Sequence, residues 1–466
     1  MGAGEGGRPV MPAMKVAVVG GGISGLATAY FLARSGCRVV VLEREAGAGG
    51  TIRSYREEGF LWEGGPNSAA ETTPVIDELL GALGIRGQRL YTAEGAKRRY
   101  VLRAGRLHAL PTGPAGFLST SLWSTRGKLR LALEPFVPRA RHEESVAEFV
   151  SRRLGREFLD YAIDPFVAGV YAGNPRRLSV QAAFPKLYEL EQRYGSLIKG
   201  ALLGARERRK RPDRARPAAR LFSFRDGMAT LPNALVAALG DAVHAGARVR
   251  GVAATGGGFR IVFDEAAAHG EECFDAVVLS VPAYVAADLI RDWLPALAGR
   301  LADVKYPPVA VAALGYRRAD LRRELDGFGY LVPEVEQRRI LGTIWNSSLF
   351  PGRAPEGCVV LTSFLGGARQ PEYALRPEEE ILHLAHEENA AVIGLGAPPM
   401  FSRVQRWRRA IPQYNLGHLA TVATVEEAEG AHPGFYVCSN YRGGIALGDC
   451  LAGAKRTAER VLDRAP

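Results

Sequence analysis

Three glycines and one acidic residue near the start of the chain have the spacing of a nucleotide-binding turn. Gly20, Gly22 and Gly25 form the pattern G-x-G-x-x-G, and Glu43 closes the next apolar run. Such glycines let the backbone approach a pyrophosphate, which the N–H groups at a helix N-terminus hold, while the carboxylate accepts a ribose hydroxyl. These residues predict a dinucleotide site. The alternative is a glycine-rich turn that binds nothing.

The flanking residues predict the strand, helix and strand that this site requires. Lys15–Val19 is an apolar run that ends at glycine, as expected of a strand buried on both faces. Apolar residues then recur from Leu26 at helical spacing, and Gly36 ends the helix before a second apolar strand at residues 39–42. The glycines therefore lie between a strand and a helix, where the motif has physical meaning.

Two later glycine-rich stretches favour FAD over a nicotinamide cofactor. Gly49, Gly50 and Thr51 follow Glu43 closely, and another Gly-Gly pair precedes Pro66. A second close approach of the backbone suits a long dinucleotide that lies extended through the domain, with its isoalloxazine ring in a separate pocket.

These stretches, G-G-G-x-S-G-L, V-L-E and G-G, resemble the flavin amine oxidase superfamily, which includes amine oxidases, phytoene desaturases and protoporphyrinogen oxidases. Further segments resemble the protoporphyrinogen oxidase family specifically and follow its order along nearly the whole chain. They are residues 97–100 (K-R-R-Y) leading into 107–111 (L-H-A-L-P), 166–174 (F-V-A-G-V-Y-A-G-N), 327–333 (G-F-G-Y-L-V-P), 411–418 (I-P-Q-Y-N-L-G-H) and 441–450 (Y-R-G-G-I-A-L-G-D-C).

The resemblance implies an enzyme that oxidises protoporphyrinogen IX to protoporphyrin IX in haem biosynthesis. Six electrons leave in three flavin cycles, oxygen reoxidises the flavin, and three H2O2 form. Such an enzyme is an oxidoreductase acting on CH–CH groups. The protein must hold a substrate methylene over flavin N5 in a dry, apolar slot with the carboxylates anchored. No catalytic side chain or metal is implied.

The resemblance also implies the substrate-binding residues. Arg99 corresponds to the family's propionate anchor, and its alternative is a solvated member of the basic run. The residues implied to form the pocket around the tetrapyrrole are Gly169, Phe328, Gly329, Leu331, Phe350 and Asn67. As bare sequence, the aromatic and aliphatic members are ordinary core residues, and Gly169 ends a helix.

The implied cofactor is non-covalent FAD. The residues implied to contact it are Gly20, Gly22, Ile23, Ser24, Gly25, Glu43, Arg44, Gly49, Gly50, Thr51, Gly65, Pro66, Asn67, Val249, Trp407, Gly444, Ile445 and Ala446. The last three precede the closing helix, whose N-terminus would stabilise negative charge on the reduced flavin. Cys450 does not lie in the covalent-flavin pattern of amine oxidases.

Composition restricts where such a protein works. The 466 residues are 47% hydrophobic, which suffices for large cores, and the longest apolar stretch is broken by Pro282. Five scattered cysteines predict reduced thiols in a cytoplasmic protein. Of the net charge of +11, more than half lies in residues 206–220, predicted as a solvated loop. Nucleic acid is not expected, because no recognition helix accompanies this basic segment.

The predicted fold class is α/β, with a Rossmann-like FAD domain built from discontinuous segments, a mixed-sheet substrate domain and an inserted helical domain. The predicted boundaries are a disordered lead at 1–13; an FAD domain at 14–90, 216–300 and 405–466; a substrate domain at 91–110 and 301–404; and a helical domain at 111–215 ending in the basic loop. By resemblance, the helical domain docks on the inner face of the cytoplasmic membrane.

Three rival functions stay open at this point. The nearest uses coproporphyrinogen III, with four carboxylates, as the substrate. A more distant enzyme oxidises amines or carotenoid precursors. The third is a flavin-containing membrane- or nucleic-acid-binding protein without turnover. Whether the chain is a monomer or a homodimer is also open.

Overall fold

The predicted strand–helix–strand unit forms the centre of a parallel sheet. The computed structural model describes residues 13–210, 219–265 and 268–464. The five strands of the sheet, in spatial order, are β10 (Val243–Ala245), β2 (Arg38–Glu43), β1 (Lys15–Val19), β14 (Ala276–Leu279) and β20 (Phe435–Val437). The chain leaves β1 toward β2 on one side and later returns to β14 on the other. A crevice therefore opens at the carboxyl ends of these strands, where such sheets bind ligands.

Side chains of β1 alternate between two cores, which explains its apolar sequence. Val16 and Val18 lie in the core with α1, whereas Ala17 and Val19 lie in the core on the opposite face. The helices that contribute to the first core are α1 (Ile23–Arg34), α2 (Pro74–Ala82), α11 (Thr230–Leu239) and α18 (Leu447–Leu462). Those of the second core are α12 (Ala283–Ile290), α13 (Pro295–Ala302) and α17 (His418–Ala431).

A seven-stranded mixed sheet forms the second layer. Its strands, in spatial order, are β19 (Phe401–Trp407), β15 (Val309–Arg317), β18 (Cys358–Gly366), β17 (Gly342–Ile344), β16 (Gly327–Leu331), β7 (Arg98–Arg103) and β8 (Arg106–Ala109). Only the pair of β16 and β7 is parallel among these. Its accompanying helices are α14 (Asn346–Leu349), α15 (Pro371–Leu375) and α16 (Glu378–Ile393). Strands β7 and β8 form a hairpin that turns at Ala104 and Gly105, both with positive φ.

Eight further strands complete the described sheets. They are the hairpin β3 (Ser54–Glu57) and β4 (Phe60–Glu63); the meander β11 (Arg248–Thr255), β12 (Gly258–Glu265) and β13 (Ala268–Phe274); and the set β5 (Ala69–Ala70), β9 (Leu221–Phe224) and β6 (Arg89–Tyr91). In the set β5–β9–β6, strand β9 brings the chain back from the helical insertion to the first layer. The discontinuous assembly of the α/β domain follows from this return.

Helices dominate the inserted segment. They are α3 (Gly113–Ser119), α4 (Thr125–Ala132), α5 (Val146–Arg153), α6 (Arg156–Phe158), α7 (Asp164–Tyr171), α8 (Val180–Ala183), α9 (Pro185–Tyr194) and α10 (Leu197–Lys210). A capping box of Ser145 and Glu148 starts α5, whose Phe149 and Val150 are buried in the local core. No helix of the described residues is long and apolar enough to cross a membrane.

Two predicted boundaries differ from the structure. Helix α10 continues to Lys210, so the first residues of the basic segment are helical rather than a loop; residues 211–218 of that segment lie outside the described residues. Strand β19 pairs with β15 and extends their sheet past residue 404, the predicted end of the substrate segment. In both cases local composition hid the continuation: charged residues are good helix formers, and strand ends depend on their partner. Residues 1–12 of the predicted lead also lie outside the described residues.

Candidate cofactor and substrate site

The turn between β1 and α1 places its three glycines in different surroundings. A Cβ on Gly20, whose φ is +105°, would lie 2.6 Å from the carbonyl oxygen of Ser280. A Cβ on Gly25 would lie 2.0 Å from the carbonyl oxygen of Gly20. A Cβ on Gly22 would meet no described atom within 4 Å. Internal packing therefore requires Gly20 and Gly25, whereas Gly22 leaves open space in front of the helix.

That space suits an anion. Helix α1 begins at Ile23, and within the described residues no side chain caps it. Its first N–H groups, among them those of Ile23 and the buried Ser24, therefore remain available at the positive end of the helix. These residues fit the pyrophosphate of a dinucleotide.

Glu43 and the second pair of glycines lie directly against this turn. The buried Glu43 carboxylate accepts hydrogen bonds from the amides of Gly21, at 2.7 Å, and Glu45, at 2.9 Å. The Gly49 amide donates to the Gly21 carbonyl at 2.7 Å, and a Cβ on Gly50 would lie 3.2 Å from the Cα atom of Gly22. The fold thus brings together glycine motifs that are separate in sequence.

The loop that contains Gly65 and Asn67 extends this region toward the mixed sheet. A Cβ on Gly65 would lie 1.9 Å from the Thr51 carbonyl oxygen, so only glycine fits. Trp407 donates its indole N–H to the Gly64 carbonyl at 2.6 Å, and the buried Asn67 amide donates to the Gly65 carbonyl at 3.2 Å. Exposed Pro66 lies between Gly65 and Asn67. Thr51, Gly65, Asn67 and Trp407 are therefore neighbours, as the cofactor assignment requires.

Two other cofactor candidates, Arg44 and Val249, and the discounted Cys450 lie in different surroundings. Arg44 is exposed and pairs with Glu45 at 3.1 Å. Val249 lies at a bulge of β11, where it packs against the core on the α12 side. Burial raises the pKa of Cys450 to about 11, so its thiol stays protonated and unreactive.

The segment before α18 is shaped by its own contacts. Gly444 has a φ of +121°, and a Cβ there would lie 2.3 Å from an Asp449 carboxylate oxygen. Burial raises the pKa of the Asp449 carboxyl, and the Ala446 amide opposes this rise. Ile445 packs against the core of the helical insertion. The segment therefore lies where the helical insertion meets the α/β domain.

The basic run at the start of β7 contains one arginine, Arg99, whose contacts differ from those of its neighbours. Lys97 pairs with Glu94 at 3.5 Å, and Arg98 pairs with Asp326 at 2.6 Å. Arg99 has no carboxylate partner among the described residues, and its guanidinium lies 5.5 Å from the centre of the Phe328 ring. This cation is therefore available to an external carboxylate.

Three of the predicted pocket residues are neighbours of Arg99 or of one another. Phe328 and Leu331 both belong to β16, and a Cβ on Gly169 would lie 2.7 Å from a methyl carbon of Leu331. Gly169 lies within α7, and the helix ends instead at Tyr171, where the following Ala172 adopts the left-handed conformation. Gly329, with a φ of +134°, makes room for the Thr343 carbonyl oxygen, so pairing of β16 with β17 explains this glycine.

Phe350 and Asn346 complete the wall of the pocket, which also contains Phe328 and Leu331. Asn346 was not identified from the sequence. Phe350 is buried in a small cluster that Phe328 also contacts. The buried Asn346 donates to the side-chain oxygen of Asn67 at 2.5 Å and so connects the mixed sheet to the cofactor loop. Nothing in the sequence around Asn346 distinguishes it from a surface asparagine.

A buried acid lies next to the same loop. Glu63 accepts hydrogen bonds from the Ser54 hydroxyl at 2.5 Å and the Met228 amide at 2.9 Å. Burial raises its pKa to about 7, although Arg353 lies 3.9 Å away. Glu63 thus holds three chain segments together and changes charge near neutral pH. In the described part of the chain, no group of acidic, histidine and cysteine residues is arranged to hold a metal.

Comparison with known proteins identifies a flavoprotein family. A model of flavin-containing amine oxidoreductases matches residues 23–462. Protoporphyrinogen oxidase 2 of Arabidopsis thaliana is 32% identical, with 96% of this chain and 94% of that protein aligned. Coproporphyrinogen III oxidase of Bacillus subtilis is 27% identical, with 96% and 97% aligned.

A solved structure supports the fold. It is that of an Exiguobacterium protein provisionally described as a protoporphyrinogen oxidase, with a TM-score of 0.81 at 24% identity, and the match covers 97% of this chain and all of that one. At this identity the likeness concerns the fold, whereas the family model and the plant relative concern the sequence. The chain therefore belongs to the flavin-containing amine oxidoreductase family, beside the protoporphyrinogen oxidases that it matches along nearly its whole length.

Proposed function

We propose that this chain is an FAD-dependent oxidase that converts protoporphyrinogen IX to protoporphyrin IX, with oxygen as the acceptor. The observation that carries the proposal is Arg99, which has no carboxylate partner among the described residues and lies over Phe328 beside the Leu331–Gly169 contact. A cation at the edge of an apolar wall suits a flat, apolar macrocycle that ends in propionates. The near full-length match to protoporphyrinogen oxidases supports the same substrate.

Each residue of the site has a limited task. Arg99 binds a propionate through a charge-assisted hydrogen bond, and the side chains of Phe328, Leu331 and Phe350 exclude water from the macrocycle. Gly169 lets the Leu331 side chain pack closely against the backbone of α7 and so fixes this side of the pocket. Bound FAD supplies the chemistry by accepting two electrons in each of three cycles and passing them to oxygen, which yields three H2O2.

FAD is held without a covalent bond in this proposal. The open space at Gly22, the free N–H groups of α1 and the buried Glu43 support binding of the pyrophosphate and ribose. The protonated Cys450 thiol is a poor nucleophile, which supports the absence of a thioether.

The helical insertion presents an apolar surface that we assign to a membrane, at the inner face of the cytoplasmic membrane. Its strongly exposed apolar residues are Leu118, Leu129, Leu133, Phe136 and Leu202. Exposed apolar side chains on helices can enter a membrane surface, and basic residues add attraction to anionic lipids. Co-sedimentation with anionic vesicles tests the assignment, and a Phe136→Ser variant should bind them more weakly.

Two porphyrinogens distinguish the proposal from its nearest rival. Purified protein is incubated in air with protoporphyrinogen IX or coproporphyrinogen III, while porphyrin fluorescence and peroxide are followed. We expect faster oxidation of protoporphyrinogen IX and three peroxides per porphyrin. A preference for coproporphyrinogen III would replace the substrate, and inactivity toward both would reject the substrate class.

A further inference from the structure

Two stacked rings lie beneath the loop that leads into α18, and neither has a role in the function proposed above. Tyr414 and His418 are 3% and 6% exposed. Their ring centres are 4.3 Å apart and their planes differ by only 10°. Both residues belong to the segment 411–418, which follows β19 and ends at the first residue of α17.

The Tyr414 hydroxyl joins two backbone groups of that loop. It donates to the Asn440 carbonyl at 2.6 Å and accepts from the Gly444 amide at 3.1 Å. Gly444 has a positive φ that only glycine adopts easily, and glycine also allows many other backbone conformations. The conformation of the loop therefore depends on these two hydrogen bonds. One phenol thus sets the separation of Asn440 and Gly444.

His418 holds the intervening residue. Its Nε2 atom lies 2.8 Å from the Tyr441 carbonyl, and a carbonyl can only accept, so this nitrogen carries the proton. Burial lowers the pKa of His418, which favours the neutral ring with a single N–H. The stacked pair therefore contacts three backbone groups within five consecutive residues.

These contacts decide which amides of the loop remain free. Tyr414 occupies the Gly444 amide, and the Ala446 amide lowers the pKa of the Asp449 carboxyl against the larger effect of burial. Between them, the Ile445 amide has no acceptor among the described residues. The first N–H groups of α18 follow immediately, and such groups have no partner within a helix. The Ile445 amide therefore lies directly before the positive end of α18.

The same segment also contacts the helical insertion. The Tyr414 carbonyl accepts from the Ser179 amide at 2.8 Å. The Gln413 side chain donates to the Tyr171 carbonyl at 2.9 Å, on the helix that carries Gly169. The stacked pair therefore lies between the wall assigned to the substrate and the loop assigned to the flavin.

We propose that Tyr414 and His418 are positioning residues for the flavin. They hold the loop so that the Ile445 amide and the first turn of α18 face the flavin pyrimidine ring, where they stabilise the negative charge gained on reduction. The inference rests on the placement of the flavin beside Gly444, Ile445 and Ala446 in the proposed function.

The test compares two Tyr→Phe variants of the FAD-loaded protein. Tyr414→Phe should weaken FAD binding about tenfold, which corresponds to about 1.4 kcal/mol, and should lower the midpoint potential of the bound flavin. Tyr316→Phe also removes a hydroxyl from a buried ring, but this hydroxyl contacts His386 on the α16 side of the mixed sheet. Tyr316→Phe should therefore lower the melting temperature while leaving FAD affinity and potential unchanged.

Parent-like FAD affinity and potential in Tyr414→Phe would overturn the inference, as would equal shifts in both variants. If Tyr414→Phe does not fold, His418→Phe keeps a ring against Tyr414 and removes the N–H donated to the Tyr441 carbonyl. It should also lower the potential, and a parent-like value would likewise overturn the inference. These measurements use no porphyrinogen, so a wrong substrate assignment would leave their outcome unaffected.

Discussion

Replacing Arg99 with alanine tests the substrate site most directly. The two preceding basic residues are bound to carboxylates, whereas Arg99 contacts only the Phe328 ring among the contacts described for its side chain. The variant therefore removes a cation without leaving a carboxylate unpaired. Because the side chain is exposed, we expect stability to change by only about 0.5 kcal/mol.

The expected loss of activity follows from the bond that Arg99 would make with a propionate. A hydrogen bond to a charged group contributes about 1.5 to 3 kcal/mol, so kcat/KM should fall by about 10- to 100-fold in Arg99→Ala. If the propionate contributes only to substrate binding, KM rises and kcat stays nearly constant. If it also places the methylene over the flavin, kcat falls as well.

The assay measures initial rates of porphyrin formation over a range of protoporphyrinogen IX concentrations. Lys97→Ala is the matched control, because this neighbour is 74% exposed and pairs only with Glu94 across one turn. Arg98→Ala is less suitable, since Asp326 binds both Arg98 and the Tyr100 hydroxyl. Equal, small losses in Arg99→Ala and Lys97→Ala would refute the anchor and assign the whole run to solvent.

Three further variants test the turn between β1 and α1, the substrate pocket and the buried acid Glu63. Gly22→Val fills the open space before α1, so we expect a folded but colourless protein; full retention of FAD after gel filtration would contradict the phosphate site. Gly169→Ala places a Cβ 2.7 Å from a Leu331 methyl carbon, so the free energy of unfolding should fall by about 1 kcal/mol and KM should rise. A second change of Leu331→Ala should restore the stability. An unchanged KM would show that Gly169 does not belong to the pocket. Glu63 binds its proton more tightly in the folded chain, with a pKa of about 7, than in the unfolded chain, so its contribution is complete below about pH 4.5 and is lost as the pH rises through about 7. In the parent, ionisation of Glu63 should lower the free energy of unfolding by up to about 3 kcal/mol between about pH 5 and about pH 8. The melting temperature of Glu63→Gln should therefore fall less than that of the parent over this range. Parallel curves of melting temperature against pH would contradict the raised pKa.

The sequence alone determined the parts of this protein that depend on neighbouring residues. Strand β1, helix α1 and strand β2 follow from apolar periodicity, and the glycines of their turn follow from steric limits that act within a few residues. The hairpin at Ala104 and Gly105 was predictable for the same reason. Cofactor class and family were readable because these local patterns recur in a fixed order along the chain.

Tertiary structure alone decided which residue of each motif is free to bind. Arg98 and Arg99 are adjacent in sequence, but only Arg98 meets Asp326, a partner 228 residues away. Likewise Asn346 reaches Asn67, and Tyr414 reaches Gly444, across chain separations that no local pattern records. A side chain's availability depends on long-range pairing, which composition and spacing do not encode. Local sequence therefore indicated where the site lies, and the packing of distant segments determined which atoms remain to act in it.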